Sequence, residues 1–241
     1  MSGHSKWANI KHKKAKMDAQ KGKLYTKLSK MIIVAVREGG PDPNANSKLR
    51  DLIEKAKEAN MPNENIMRAI KRGSGELGGE NVEHVMYEGY GPGGVAIMLS
   101  AMTDNRNRTA SEIRHLFDKY GGNLGEAGCV AWMFEKKGLI LIEKNERTNV
   151  DDIMMIAIEA GAEDIQEQED SIEITTSTEN YEQVKKALTD NNIVLSSAEI
   201  TYLPKSTVEV SGKDAEMLEK LLDVLEEHDD VEEVYSNYES K

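Results

Sequence analysis

Between Asp18 and Glu38 the apolar positions are Leu24, Leu28, Met31, Ile32, Ala35 and Val36. That spacing, close to 3.6 residues, predicts an amphipathic helix. Lys23, Lys27 and Lys30 fall largely off its apolar stripe, and Gly39, Gly40 and Pro41 end it. Ser47 offers an N-cap to a second helix that buries Leu49, Leu52, Ile53 and Ala56. Asn60-Met61-Pro62 breaks this helix, and a short third one turns Ile66, Met67 and Ile70 inward. The glycines at 73, 75, 78 and 79 then read as a linker. Residues 1–79 are therefore expected to form a small helical bundle.

Beyond the linker the texture changes to strands. Val82–Glu88 and Val95–Met102 are predicted strands, joined by the turn Gly89-Tyr-Gly-Pro-Gly-Gly94. Thr109 and Glu112 match a T-x-x-E capping box, which would open a helix running to Tyr120 with Ile113, Leu116 and Phe117 inside. Cys129–Phe134 reads as a further strand. From 138 to 203 the order is β-α-β-β-α-β, a ferredoxin-like pattern. The tail supplies a strand at Thr207–Val210, a helix at Asp214–Glu227 and a strand at Val231–Tyr238. Neither the tail nor residues 82–134 can cover its own apolar faces, so the two are expected to share one sheet. The predicted fold is α+β in three domains. Residues 1–79 form a helical domain, 80–135 plus 206–241 a split α+β domain, and 136–205 a ferredoxin-like domain inserted into it.

Charge adds a functional dimension. The 241 residues carry a formal net charge of -12. Residues 1–75 hold 17 Lys/Arg against 7 Asp/Glu, a net of +10, while residues 76–241 hold 14 against 36, a net of -22. A basic segment joined to an acidic body is the electrostatic footprint of nucleic-acid binding, or of an arm folded onto its own body. An apolar run such as Met31–Val36, with six residues and none in the chain longer, is far short of the about 20 residues a membrane span needs. No secretory signal is visible in the lysine-rich start, and the single cysteine, Cys129, fits a reducing cytoplasm.

Candidate chemistry is sparse. Gly89, Gly91 and Gly94 satisfy G-x-G-x-x-G, but a dinucleotide site needs a helix to follow, and here a strand is expected. His4, His12, His84, His115 and His228 show no metal-ligand spacing. Glu226-Glu227 and Asp229-Asp230 read as a solvated face and turn. No catalytic constellation, cofactor site or metal site is expected, so the chain is not read as an enzyme. Two basic features remain. Lys6, Lys11, Lys13, Lys14 and Lys16 can neutralise phosphates, with Lys21 and Lys23 continuing the run. Trp7 beside them offers either a stacking surface or a packed side chain, and His12 lies within the cluster. Arg106 and Arg108 precede a predicted helix N-terminus, which makes either an anion cradle or a polar surface loop.

These residues carry a resemblance. M-S-G-H-S-K-W-A-N-I-K-H-K-K from Met1, A-x-x-A-N-M-P at Ala56–Pro62, A-I-K-R-G at Ala69–Gly73, Y-E-G-Y-G-P-G-G at Tyr87–Gly94, D-N-R-N-R-T at Asp104–Thr109 and G-G-N-L-G from Gly121 together resemble the YebC/PmpR family. The resemblance implies three domains, the third inserted into the second. It implies a cytoplasmic DNA-binding transcriptional regulator. Relatives in that family that act on the ribosome during synthesis of difficult sequences such as proline runs imply ribosomal RNA as the alternative partner. Neither role involves a membrane.

Overall fold

The computed structural model describes residues 21–77, 82–145 and 148–240. Along the chain these form α1 (Lys21–Gly39), α2 (Ser47–Glu58), α3 (Asn63–Gly73), β1 (Glu83–Tyr90), β2 (Ala96–Thr103), α4 (Arg106–Lys119), β3 (Asn123–Leu124) and β4 (Phe134–Glu143). Then follow α5 (Val150–Glu159), β5 (Ala162–Glu167), β6 (Ser171–Thr176), α6 (Tyr181–Asp190), β7 (Ser197–Pro204), β8 (Val208–Val210), α7 (Gly212–Glu227), β9 (Val231–Ser236) and β10 (Tyr238–Ser240). The chain is α+β and divides into two compact units. One holds the described residues up to Ala131 together with Val208–Tyr238, and the other holds Trp132–Thr207 with the described residues 239 and 240. Among the described residues, no helix is long and apolar enough to cross a membrane.

In the first unit, α1 packs Leu28, Ile32, Ile33 and Val36 against Leu49, Leu52 and Ala56 of α2 and Ile66 and Ala69 of α3. A one-sided stripe was expected for α1, yet Val34 is buried too. It packs with Val82 and Met102, so the helix is covered on two sides and the whole run Ile32–Val36 lies inside. The N-cap of α2 is Asn46, not Ser47. Its Oδ1 accepts from the Leu49 N–H at 3.0 Å, and its Nδ2 donates to the carbonyls of Ala35 and Gly40 at 2.8 and 2.9 Å. One buried amide thus closes α2 and ties it to the end of α1.

The sheet of this unit has the order β3-β1-β2-β9 with antiparallel neighbours. All eight residues of β2 are buried. Ile97 and Leu99 face Ile113 and Phe117 of α4 and Leu218, Leu221 and Leu225 of α7. β9 reaches β2 only after the chain has left at residue 131 and returned at 208, so this sheet is completed across the insertion. The G-x-G-x-x-G stretch is the β1–β2 connection. Gly93 and Gly94 have φ of +73° and +76°, which glycine adopts without steric cost, and no helix opens behind them.

Two sequence expectations fail here for local reasons. The T-x-x-E box does not cap α4. The helix starts four residues earlier, and the N-cap is Asn105, whose side chain accepts from the Arg108 N–H at 3.1 Å. Cys129–Phe134 is not a strand. Residues 127–130 turn, Ala131–Met133 is a single 3₁₀ turn, and pairing begins at Phe134. The cause is Glu88, a buried carboxylate on β1. It accepts the backbone N–H groups of Gly128, Val130 and Ala131 at 2.7, 2.9 and 2.7 Å, which folds the segment around itself.

The second unit carries a sheet of order β5-β6-β4-β7 with every neighbour antiparallel, the ferredoxin-like arrangement. Ile140 and Ile142 of β4 point at α5 and α6, packing with Ile153, Ala157, Val184 and Leu188. Leu139 and Leu141 alternate to the other face beside Leu203.

Candidate nucleic-acid interface

Of the residues expected to touch nucleic acid, Lys6, Trp7, Lys11, His12, Lys13, Lys14 and Lys16 lie outside the described residues. Lys21 opens α1. Lys23, Lys27 and Lys30 follow on one face of that helix and meet the C-terminal end of α7. Lys23 Nζ donates to the Glu227 carbonyl at 3.2 Å and stands 3.9 Å from an Asp229 carboxylate oxygen. Lys27 Nζ donates to the Glu226 carbonyl at 2.6 Å, and Lys30 Nζ to the Asp229 carbonyl at 3.2 Å. Helix C-termini present unpaired carbonyls and a partial negative charge, so ammonium groups satisfy both. Lys23 keeps 49% of its side chain exposed.

The stretch Asp104–Thr109 folds into a polar knot around Asp230. This carboxylate was read as part of a solvated turn, but it is 5% exposed. A β-bulge near Ser100 and Ala101 lets the Met102 N–H donate to the Asp230 carbonyl at 2.7 Å, which fixes its position beside α4. Its Oδ1 accepts from Lys30 Nζ at 2.5 Å. Its Oδ2 accepts from Arg108 Nη2 at 3.0 Å and Thr109 Oγ1 at 2.6 Å. Burial works to raise the pKa of this carboxyl, and the Lys30, Thr109 and Arg108 hydrogen bonds outweigh it, holding it at about 2. Thr109 has one proton and gives it to the carboxylate, so Thr103, 2.7 Å away, donates to Thr109 in turn.

Arg108 is therefore committed within the fold, bridging Asp230 and Asp104, the latter at 2.8 Å. The α4 N-terminus, read from the sequence as either an anion cradle or a polar loop, is occupied by the Asn105 side chain. Arg106 is exposed, and its backbone carbonyl accepts from Tyr87 Oη at 3.3 Å. The structure thus separates the two arginines: one is a structural clamp and the other faces solvent.

Glu112, His228 and Asp230 bring three potential metal-ligating atoms within 4.8 Å of one another. The hydrogen bonds fill them. The Asp230 N–H donates to His228 Nδ1 at 3.1 Å, so the neutral ring carries its proton on Nε2, which faces Glu112 Oε2 at 3.0 Å. No ring lone pair is left for a cation, and Asp230 already serves three donors. The Glu88 carboxyl is another buried acid that sequence reasoning missed. Burial pushes its pKa up, but the three backbone N–H groups prevail and leave it below the usual glutamate range. An acid at an otherwise apolar strand position was its only signal.

The chain matches two family models. One, described as "TACO1/YebC protein N-terminal domain", covers residues 5–76, and the other, "TACO1/YebC second and third domain", covers residues 82–238. A "Probable transcriptional regulatory protein" of Thermoanaerobacter pseudethanolicus is 59% identical over 99% of this chain and 97% of its own length. One of the same description from Pelotomaculum thermopropionicum is 58% identical over 99% of each chain. The crystal structure of a "conserved hypothetical protein" from Aquifex aeolicus superposes with a TM-score of 0.86 at 52% identity, covering 98% of both chains.

Proposed function

The chain belongs to the YebC/PmpR family, the TACO1/YebC proteins of the matching models, and from that premise we propose that it is a cytoplasmic DNA-binding regulator of transcription. The observation that carries this reading is the segregation of charge, +10 in residues 1–75 against -22 in the remainder. A segment so basic on a protein so acidic is selected for a polyanion that the rest of the surface would repel. The names of the relatives agree with a regulatory role. Binding rather than catalysis is the activity proposed, because the buried carboxylates Asp230 and Glu88 and the ring of His228 are all committed to structural hydrogen bonds.

Lys6, Lys11, Lys13, Lys14 and Lys16 supply the phosphate contacts in this proposal, with Lys21, the exposed part of Lys23, and Arg106 as secondary contacts. Trp7 and His12 sit among them. Phosphate contacts hold a duplex without reading its sequence. The experiment is a fluorescence titration of the full chain against a promoter duplex and a scrambled duplex at several salt concentrations. Binding to both, falling steeply with salt and differing by well under about 10³-fold, is expected. No binding to either duplex at low salt, with ribosomes bound instead, would overturn the DNA assignment.

A further inference from the structure

Helices α1 and α3 of the first unit border a groove of about 220 Å³. Its floor is apolar, made by the buried Ile33 and Ala69, and its α3 wall carries Arg68 and Arg72. Residues four apart lie one above the other on a helix, so both guanidinium groups flank the same opening. Tyr25 closes one end, anchored by its hydroxyl donating to the Asn60 carbonyl at 2.7 Å. Ser29, facing the arginines from α1, adds a hydroxyl.

Several basic groups of this unit are otherwise engaged. Lys27 and Lys30 hold the end of α7, Arg37 donates to the Val82 carbonyl, Lys48 pairs with Glu38, and Arg108 holds Asp230. Among the described residues, neither Arg68 nor Arg72 makes an ion pair or a side-chain hydrogen bond. Like charges at this spacing weaken an isolated helix. The helix dipole accounts for Arg72 in the last turn of α3, but not for Arg68 in its middle. A guanidinium presents a planar fork that matches a phosphate with two parallel hydrogen bonds. The groove is below the roughly 300 Å³ at which whole small-molecule ligands are enclosed, so it suits a short stretch of a longer polyanion rather than a whole free ligand.

We propose that this groove seats the phosphodiester backbone of a DNA strand, with Arg68 and Arg72 each gripping a phosphate. The proposal rests on the DNA-binding reading above and assigns that reading a site which charge counting alone did not single out.

The test is the full chain carrying Arg68→Gln and Arg72→Gln, which keeps length and helix propensity and removes charge. Binding to a duplex is measured by fluorescence anisotropy between 50 and 200 mM salt, with thermal unfolding as the fold control. Loss of two phosphate contacts should make the log–log salt slope shallower by roughly 2. The Arg68→Lys and Arg72→Lys double variant keeps the point charges and loses the forks, so it should restore the slope but not the full affinity. Unchanged slope and affinity in a folded glutamine variant would overturn the groove while leaving the DNA reading standing. A wild-type chain that binds no duplex would overturn both. A loss confined to a folded RNA hairpin, with duplex binding intact, would overturn the assignment to DNA.

Discussion

Asp230 gathers Lys30 from one distant stretch of the chain and the neighbours Arg108 and Thr109 from another, and its carboxyl is held at about 2 against an ordinary 3.8. A carboxyl with a lowered folded pKa stabilises the protein above its unfolded pKa, and that contribution is lost as pH falls through the folded value. Stability should therefore drop by about 1–2 kcal/mol between pH 4 and pH 2 on account of this group. Asp230→Asn should remove that acid dependence and destabilise the protein at pH 7 by about 3 kcal/mol, because Lys30 is left beside a neutral partner. Urea unfolding at pH 7, pH 4 and pH 2 measures both effects. Glu88→Gln should cost about 2 kcal/mol by the same method, since the amide nitrogen replaces one of the two acceptor oxygens and cannot accept from the backbone N–H groups it would face. Neither residue's role was legible in the sequence. Asp230 follows Asp229 in a stretch that looks solvated, and its cationic partners lie 122 and 200 positions away.

At the scale of elements, helix α1 shows what periodicity conveys and what it omits. Its stripe toward α2 and α3 was visible at 3.6-residue spacing. The burial of Val34 on the opposite side depends on Met102 and Val82, which no local window contains. In the second unit β4 was legible as a short apolar run, Leu139–Ile142, all of it buried. The start of α4 was misplaced because Thr109 spends its hydroxyl on Asp230 rather than on a cap. Gly73 lets α3 approach α1 closely. A Cβ there would lie 2.7 Å from Val36 Cβ and 2.8 Å from the Ile33 carbonyl oxygen. Gly73→Ala should force these helices apart and lower stability by about 1–3 kcal/mol, read as a lower thermal midpoint. It should also weaken duplex binding if the groove between the same helices holds a strand.

For the whole molecule, the topology makes the second unit a continuous segment and the first a discontinuous one. Residues 136–205 should unfold cooperatively when expressed alone, because their sheet and both covering helices are local. Residues 80–135 should not, because β9 and α7 supply one edge of the sheet and much of its core. A cooperative thermal transition in the second fragment would contradict the proposed domain boundaries. The incomplete halves were readable from uncovered apolar faces in the sequence. The proposed phosphate-binding surface rests on excess charge alone, because which lysines are spent internally depends on the distant end of α7.

The central claim is that the lysine-rich start of the chain holds DNA through its phosphates. It is tested most directly by the salt dependence of duplex binding in a variant with Lys11, Lys13, Lys14 and Lys16 all changed to Ala. If all four contact phosphates, affinity should fall for every sequence and the log–log slope should become shallower by roughly 3–4. A folded variant with the wild-type slope and affinity would contradict the claim.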